Sequence, residues 1–221
     1  MGTAIGSSLP YAVAAALSPI PITALTLILI GHHGVAGGLF AAGRVLSYAL
    51  VLTILIIGAE LFNAGTDAAP SALGVAVRIA LGAVAIGAGV WTWVGRSSER
   101  KAPAPTRWMQ AVSGMRPSRA GALGVALSSG PKSLVLLAGG GLTIAGARLD
   151  IAGEALAGVI FLGVATSTVL LPVVLYYVLG ARSLSTFRSL QDWMQTNNAG
   201  IGAVLLILVG VVLIGSGISG L

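Results

Sequence analysis

The sequence predicts an all-α integral membrane protein, and its composition supports this in three ways. Of its 221 residues, 56% are hydrophobic and only 8% are charged, with a mean hydropathy of +0.99, which is too apolar for a soluble domain. Aromatic residues make up only 5% and there are 32 glycines, a mixture typical of closely packed helices rather than of a membrane barrel with aromatic girdles. The sequence contains no cysteine, which excludes thiol redox chemistry and disulfide bonds.

Six apolar segments are each long enough to form a transmembrane helix. Crossing about 30 Å of hydrocarbon takes about 20 residues of helix. No basic region precedes the first segment, which is also longer than the apolar part of a signal peptide, so we expect it to be retained as a span. The sequence therefore predicts six transmembrane helices, over residues 10–31, 35–59, 71–95, 120–145, 152–179 and 199–221.

The charged residues divide the loops into two kinds. The linker 96–119 holds six basic residues and one acidic residue, and two more basic residues precede the last span. The loops on the opposite side carry mainly Asp and Glu. By the positive-inside rule, the basic loops lie in the cytoplasm and both termini lie outside. The basic residues are Arg96, Arg100, Lys101, Arg107, Arg116 and Arg119, followed by Arg182 and Arg188.

The net charge of +6 is therefore mostly an orientation signal, and we do not expect a nucleic-acid partner. A second interpretation of the basic linker is that it docks anionic lipid headgroups or a cytoplasmic enzyme.

The two halves of the chain are similar in sequence. AALSPIP at 15–21 aligns with VALSSGP at 125–131, and IALGAVAIGAGV at 79–90 aligns with ILVGVVLIGSGI at 207–218. Spans two and five align through shared glycines and through Ser47 with Ser167. Because each half has an odd number of spans, the second half enters the membrane from the opposite side. The sequence predicts two inverted three-helix repeats, 1–95 and 120–221, joined by the cytoplasmic linker 96–119, as in many secondary transporters.

Prolines interrupt the first span of each half. A proline lacks the N–H and crowds the carbonyl four residues earlier, so Pro131 deprives the carbonyl of Leu127 of its helical donor, and the prolines of span one act likewise. Such breaks are tolerated in a membrane where protein or a hydrated cavity supplies partners. Serines precede both breaks, which predicts N-caps of restarted helices. The predicted hinge and cap residues are Ser18, Pro19 and Pro21, and Ser128, Ser129, Gly130 and Pro131.

The restarted helices predict an anion site, because each would aim its N–H groups and a partial positive charge at the interior. Lys132 follows Pro131, and Arg44 lies deep in span two. A cation at the middle of a membrane helix costs roughly 2.5 to 3.5 kcal/mol on insertion scales, so both should face an interior cavity. Arg78 in span three either does the same or reaches the outer headgroup layer. We therefore predict that Ser18, Ser128 and Ser129, with Arg44 and Lys132, bind a phosphate, sulfate or carboxylate group; simple proline kinks are the alternative.

The remaining candidates are weaker. Ser47 and Tyr48, near Arg44, are secondary binding candidates, and Pro172 is expected to kink span five. His32 and His33 are interpreted as turn residues, since adjacent histidines lack the spacing of a helical metal pair. The sequence contains no catalytic triad, phosphate-binding loop or metal-ligand cluster, so we expect neither an enzyme nor a cofactor.

The six spans, the basic central loop and the motifs ALSPIPI in span one and ALSSGPKSL in span four resemble the glycopeptidolipid- and sulfolipid-addressing proteins of actinobacterial envelopes, the GAP or Sap type, within the lysine-exporter superfamily. Span four of that family usually reads Asn-Pro-Lys, whereas this chain has Gly130, Pro131 and Lys132. The resemblance implies an export function in the inner membrane, with envelope lipids or glycolipids as cargo.

Three functions remain open at this stage. The first is a transporter that moves an anionic lipid or glycolipid out of the cytoplasmic leaflet by alternating access. The second is an exporter of a small solute such as an amino acid, and the third is a membrane scaffold whose linker 96–119 recruits proteins of envelope-lipid synthesis or export. Membrane lipids are expected partners in each case, and a homo-oligomer is a further expectation.

Overall fold

The computed structural model describes residues 1–31, 34–63, 72–95, 112, 115–180, 189 and 197–218, although some side chains inside these ranges lie outside the description. Over these residues the chain is helical and contains no strand. Its helices are α1 (Gly2–Ala16), α2 (Pro19–Ile30), α3 (Gly34–Asn63), α4 (Ala72–Gly95), α5 (Pro117–Ser128), α6 (Pro131–Ala145), α7 (Ile151–Leu179) and α8 (Asn198–Ile218).

Two of these helices are by themselves long and apolar enough to cross a membrane. They are Gly34–Ala59 within α3, and α7. The pairs α1 with α2 and α5 with α6 each pass the same test together, bent by 52° and 66°, which brings the number of candidate spans in the described residues to four. Shorter apolar stretches lie in α4 and α8. The all-helical membrane protein is thus confirmed, while the six-span inverted repeat stays a prediction.

The helix ends follow from local chemistry. Proline occupies the first position of α2, α5 and α6, where the missing N–H would have no helical partner in any case. Asp150 caps α7 by accepting a hydrogen bond from the N–H of Gly153 at 3.3 Å. Gly180 ends α7 with a φ of +60°, a conformation that favours glycine. Both α1 and α7 continue through an internal proline, Pro10 and Pro172, so Pro172 does not end its helix.

We name the two interruptions the first break, residues 17–18, and the second break, residues 129–130. Each helix that follows a broken pair packs against the broken pair of the other half: α3 contacts α5 and α6, and α7 contacts α1 and α2. The broken pairs also contact each other, α1 with α6 and α2 with α5. The centre of the described structure is therefore assembled from both halves.

Two apolar clusters fill this centre. The first is built from α1, α3, α6, α7 and α8 and includes Tyr11, Leu52 and Phe161. The second is built from α2, α3, α5 and α7 and includes Leu25 and Phe40. Each broken pair contributes one helix to each cluster, so both breaks lie between the clusters.

A polar layer separates the two clusters. Along α3, Arg44 lies between Ala41 of the second cluster and Tyr48 of the first. Along α7, residues 166–168 lie between Ala165 of the first cluster and Val169 of the second. Together with the two breaks, these positions form one polar level through four neighbouring chain segments, which we call the polar layer.

Glycines allow α4 and α8 to pack closely against each other. A Cβ added to Gly82 would lie 2.7 Å from the carbonyl oxygen of Gly210, and one added to Gly89 would lie 2.9 Å from that of Ala203. By contrast, a Cβ on Gly87 would meet open space. The backbones of the two helices therefore approach most closely at Gly82, Gly89 and Gly210.

Candidate anion site at the second helix break

Close backbone packing places Arg44 beside the second break. Gly124 in α5 lies so near α3 that an added Cβ would collide with the carbonyl oxygen of Phe40 and lie 3.2 Å from the amide nitrogen of Arg44. Gly43 faces Gly121 in the same way. As a result, Arg44 lies at the level where α5 ends, and only 1% of its surface is exposed.

The guanidinium of Arg44 is held by protein groups on two of its three nitrogens. Nη2 donates to the hydroxyl of Tyr48 at 2.7 Å, and Nη1 donates to the carbonyl oxygen of Leu127 at 3.5 Å, a long hydrogen bond. The guanidinium carbon also lies 4.6 Å from the centroid of the Tyr48 ring, within cation–π range. The Tyr48 hydroxyl donates in turn to Oγ of Ser133 at 3.2 Å, which ties Arg44 to the first turn of α6.

The hydrogen bond from Arg44 gives the Leu127 carbonyl a donor in place of the one that Pro131 removes. The carbonyl of Leu127 is the one that Pro131 deprives of its helical donor, and a partner from elsewhere in the protein was expected for it. Arg44 supplies that partner from the other half of the chain. Arg44, which the sequence predicts as a ligand for the substrate, therefore also supports the break.

The charge of Arg44 is not balanced by the groups around it. No carboxylate among the described residues contacts it, and its Nε is buried without a hydrogen-bond partner. A buried charge is costly unless it is paired and fully hydrogen-bonded. Arg44 therefore lacks a counter-ion in the described part of the chain.

Lys132 lies in the first turn of α6, one residue before Ser133, and its side chain is exposed. No hydrogen bond or ion pair joins its ammonium group to another described residue. Because Ser133 accepts from Tyr48 and Tyr48 accepts from Arg44, the two cations lie near the same helix N-terminus. Four of the five predicted binding residues therefore lie at or beside the second break, together with the secondary candidate Tyr48, while Ser18 lies at the first break. The four are Arg44, Ser128, Ser129 and Lys132.

The serines behave differently from the prediction. Ser128 is the last residue of α5 and Ser129 is its C-cap, whereas the N-cap of α6 is Gly130, which has no side chain to contribute. The predicted N-cap role of Ser128 and Ser129 is therefore wrong. The reason is local: Ser128 Oγ donates to the carbonyl of Gly124 at 2.7 Å and Ser129 Oγ to that of Val125 at 3.2 Å, both within their own helix.

At the first break, Ser18 has the N-cap position of α2 that the sequence predicted, but its side chain makes no capping hydrogen bond. The cross-half contact comes instead from Thr168, whose Oγ1 donates to the carbonyl of Ala16 at 2.7 Å. Thr168 was not among the residues predicted from the sequence. A signal was present, because aligning Ser47 with Ser167 places Tyr48 opposite Thr168.

Several candidates are only partly placed. Ser47 is buried in the polar layer, and Pro172 is buried within α7. The side chains of Pro19, Arg78 and Pro131, and all of His32 and His33, lie outside the described residues, as does most of the linker 96–119. In the parts of the chain that the structure describes, no three His, Cys, Asp or Glu side chains group as metal ligands.

Comparison with known proteins supplies the family. The family model described as Sap, sulfolipid-1-addressing protein, matches residues 9–219, which is nearly the whole chain. No significant match was found among curated proteins or among solved structures. A match of this extent includes both breaks, Arg44 and Lys132, and it agrees with the resemblance seen in the proline motifs. The chain therefore belongs to the Sap, sulfolipid-1-addressing protein, family.

Proposed function

We propose that this protein is a transporter that moves an anionic envelope lipid from the cytoplasmic leaflet outwards. The observation that carries the proposal is Arg44, a buried cation with no carboxylate partner among the described residues and with a free Nε. A buried charge of this kind needs a counter-ion, and an anionic headgroup provides one. Lys132 is exposed and directly precedes Ser133, which accepts a hydrogen bond from Tyr48. It would hold the headgroup from the accessible side.

The position of this site in the molecule supports a transport role. The polar layer lies between two apolar clusters and includes both breaks, so it would form the midplane of the bilayer. In many secondary transporters, substrate sites lie near the midplane, between inverted repeats and beside broken helices. On this proposal α4 and α8 complete the six spans, and the two halves exchange access by bending at the breaks.

The orientation follows from the distribution of aromatic and basic residues. Trp91 and Trp93 lie near the end of α4 and are exposed, directly before the basic linker 96–119. Tryptophan is enriched at membrane interfaces and basic loops favour the cytoplasm. We infer that this end of the molecule faces the cytoplasm in the inner membrane, with both termini outside.

The family description names a sulfolipid, and this favours a lipid with an anionic headgroup over a small solute as the cargo. Two cations at one helix N-terminus match a sulfate or phosphate group by the same chemistry. The proposed function is therefore binding and export of such a lipid, without a chemical reaction.

A reconstituted assay tests this proposal. The purified chain in phosphatidylcholine liposomes should move fluorescent phosphatidylglycerol between leaflets, and Lys132→Gln should slow that movement about tenfold, equivalent to about 1.4 kcal/mol of lost stabilisation. Arg119→Gln, which removes an exposed cation at the start of α5, is the matched control and should leave the rate unchanged. Movement at the wild-type rate in Lys132→Gln would contradict the proposal.

Two parallel measurements test the other two functions, the small-solute exporter and the membrane scaffold. Accumulation of an amino acid in the liposomes, with no lipid movement, would identify a small-solute exporter. In cells, a scaffold would lose its function on deletion of residues 103–117 and keep it in Lys132→Ala. Export of the envelope lipid that fails in Lys132→Ala supports the lipid transporter.

A further inference from the structure

Both helix breaks are supported by a hydrogen bond from the opposite half of the chain. At the second break, Arg44 of the first half donates to the carbonyl of Leu127. At the first break, Thr168 of the second half donates to the carbonyl of Ala16. In each case the acceptor lies at the end of the first helix of a broken pair, and the donor lies on the helix that follows the other broken pair.

The two bonds occupy related positions in the repeats. The alignment of AALSPIP with VALSSGP places Ala16 opposite Ala126, one residue before Leu127. The alignment of Ser47 with Ser167 places Thr168 opposite Tyr48, which is itself bonded to Arg44. The donors and acceptors are not exact equivalents, because Arg44 aligns with Val164 and Leu127 aligns with Leu17. The two bonds nevertheless join the same kinds of element, the end of the first helix of one broken pair and the helix that follows the other pair.

The two bonds differ in strength and in charge. Thr168 is neutral, and its bond to Ala16 is short at 2.7 Å. Arg44 is charged, its bond to Leu127 is long at 3.5 Å, and its Nε is unpaired. An anion that approaches the guanidinium would compete directly with the Leu127 carbonyl, whereas the neutral Thr168 hydroxyl has no charge to attract an anion.

We propose that Thr168 and Arg44 are positioning residues, each of which sets the bend in the broken helix pair of the opposite half, and that an anionic headgroup releases only the bond at the second break. The first break then acts as a constant bend and the second as a ligand-dependent one. The release step rests on the proposed function, while the positioning role of the two residues is independent of it.

Spin labels on the full chain test the positioning role. Because the sequence has no cysteine, one pair of cysteines can be introduced and labelled at a time. Gly6→Cys with Gly31→Cys reports on the first break, and Ala122→Cys with Leu142→Cys reports on the second. Gly6, Ala122 and Leu142 are exposed and can carry a label, and Gly31 is half-buried at the end of α2. A Cβ on Gly6 would meet open space. Distances are measured by pulsed electron paramagnetic resonance in phosphatidylcholine nanodiscs.

The expected result is a crossed pattern. Thr168→Val in the second half should shift or broaden the distances across the first break and leave those across the second unchanged, and Thr168→Ser should restore them. The matched control is Thr166→Val, because the Thr166 hydroxyl donates within its own helix to Leu162. The positioning role would be overturned if Thr168→Val changed the distances across both breaks, or if it changed neither.

The reciprocal variant is Arg44→Gln, which should change the second break alone. Should Arg44→Gln not fold, Tyr48→Phe serves in its place, because it removes the hydroxyl that orients the guanidinium and keeps the aromatic ring. An effect of either folded variant on the first break would contradict the proposal.

The ligand step is tested by replacing part of the phosphatidylcholine with phosphatidylglycerol. We expect the distances across the second break to shift and those across the first to stay constant. If the crossed pattern holds but the anionic lipid causes no shift, the release step and the proposed anion site fail while the positioning role stands. If the anionic lipid shifts the second break but the crossed pattern is absent, the positioning role fails alone.

Discussion

Tyr48 is the residue that connects the charged group of α3 to the start of α6. It is fully buried, accepts a hydrogen bond from Arg44 and donates one to Ser133. Its ring also lies under the guanidinium. The sequence marked it only as a secondary candidate, because a tyrosine near an arginine in an apolar helix has no distinctive spacing.

Removing this hydroxyl should destabilise the protein measurably. Tyr48→Phe leaves Nη2 of Arg44 and the hydroxyl of Ser133 without their partner, and a buried polar group that loses its partner costs roughly 1 to 3 kcal/mol. Thermal unfolding in detergent micelles should therefore show a clear drop in the melting temperature. The comparison variant is Tyr177→Phe, which removes an exposed hydroxyl bonded to Gly34 and should cost less. An equal or larger loss in Tyr177→Phe would show that the Tyr48 bridge contributes little.

Lys132 illustrates the opposite case at the residue scale. Because its side chain is exposed and makes no described contact, Lys132→Gln should change the free energy of unfolding by less than about 0.5 kcal/mol. The same variant is expected to impair lipid movement. A melting temperature that falls together with transport would indicate a structural role for the lysine, so the two measurements belong on the same preparation.

At the scale of the helices, the closest contact of α4 is with α8, through glycine backbones. The two helices approach where Gly82 faces Gly210 and where Gly89 faces Ala203. Lipid tails are as apolar as the helices, so association inside a membrane depends on this close packing rather than on the hydrophobic effect. The pairing of α4 with α8 should thus be sensitive to side-chain size at these positions.

A pair of valine substitutions tests this. Gly82→Val would place a Cβ 2.7 Å from the carbonyl oxygen of Gly210, so the helices must separate, at a cost of about 1 to 3 kcal/mol. A Cβ on Gly87, which lies on the same helix, would meet open space. Gly87→Val should therefore leave the free energy of unfolding unchanged. Thermal unfolding of both variants gives the comparison. Equal stability of the two would mean that α4 and α8 do not pack as described.

The breaks show how far local sequence determines a helix. Proline defines where α2 and α6 begin, since it suits the first position of a helix and not its interior. The identity of the capping group was not predictable in the same way, because Ser128 and Ser129 have carbonyls of their own helix within reach. Competition between two nearby acceptors is decided by geometry that a sequence pattern does not contain.

At the scale of the whole molecule, the two predicted repeats have opposite orientations in the membrane. Inverted repeats require the N-terminus and the turn before α7 to lie on one side of the membrane, and the linker 96–119 on the other. The natural chain lacks cysteine, so single cysteines report these sides directly.

We expect Gly6→Cys and Arg148→Cys to react with a membrane-impermeant maleimide on intact spheroplasts. Arg116→Cys should react only after the membrane is permeabilised, because the positive-inside rule predicts that the basic linker faces the cytoplasm. All three positions are exposed in the structure, and labelling of each variant in detergent shows that its thiol is accessible, so that a lack of labelling on intact spheroplasts reflects sidedness. Labelling of Gly6→Cys and Arg116→Cys from the same side would refute the inverted arrangement.

The sequence by itself determined the class of the protein, the location of both breaks and the family, because hydrophobic content, proline positions and motif residues act locally along the chain. Only the tertiary structure decided that Arg44 supports the carbonyl freed by Pro131 and that Thr168 supports the first break from the other half. These bonds join residues far apart in the sequence, and they form because α3 and α7 each pack against the broken helices of the opposite half. A carbonyl without its helical partner can be predicted from one proline, but the group that satisfies it depends on which helix lies beside it.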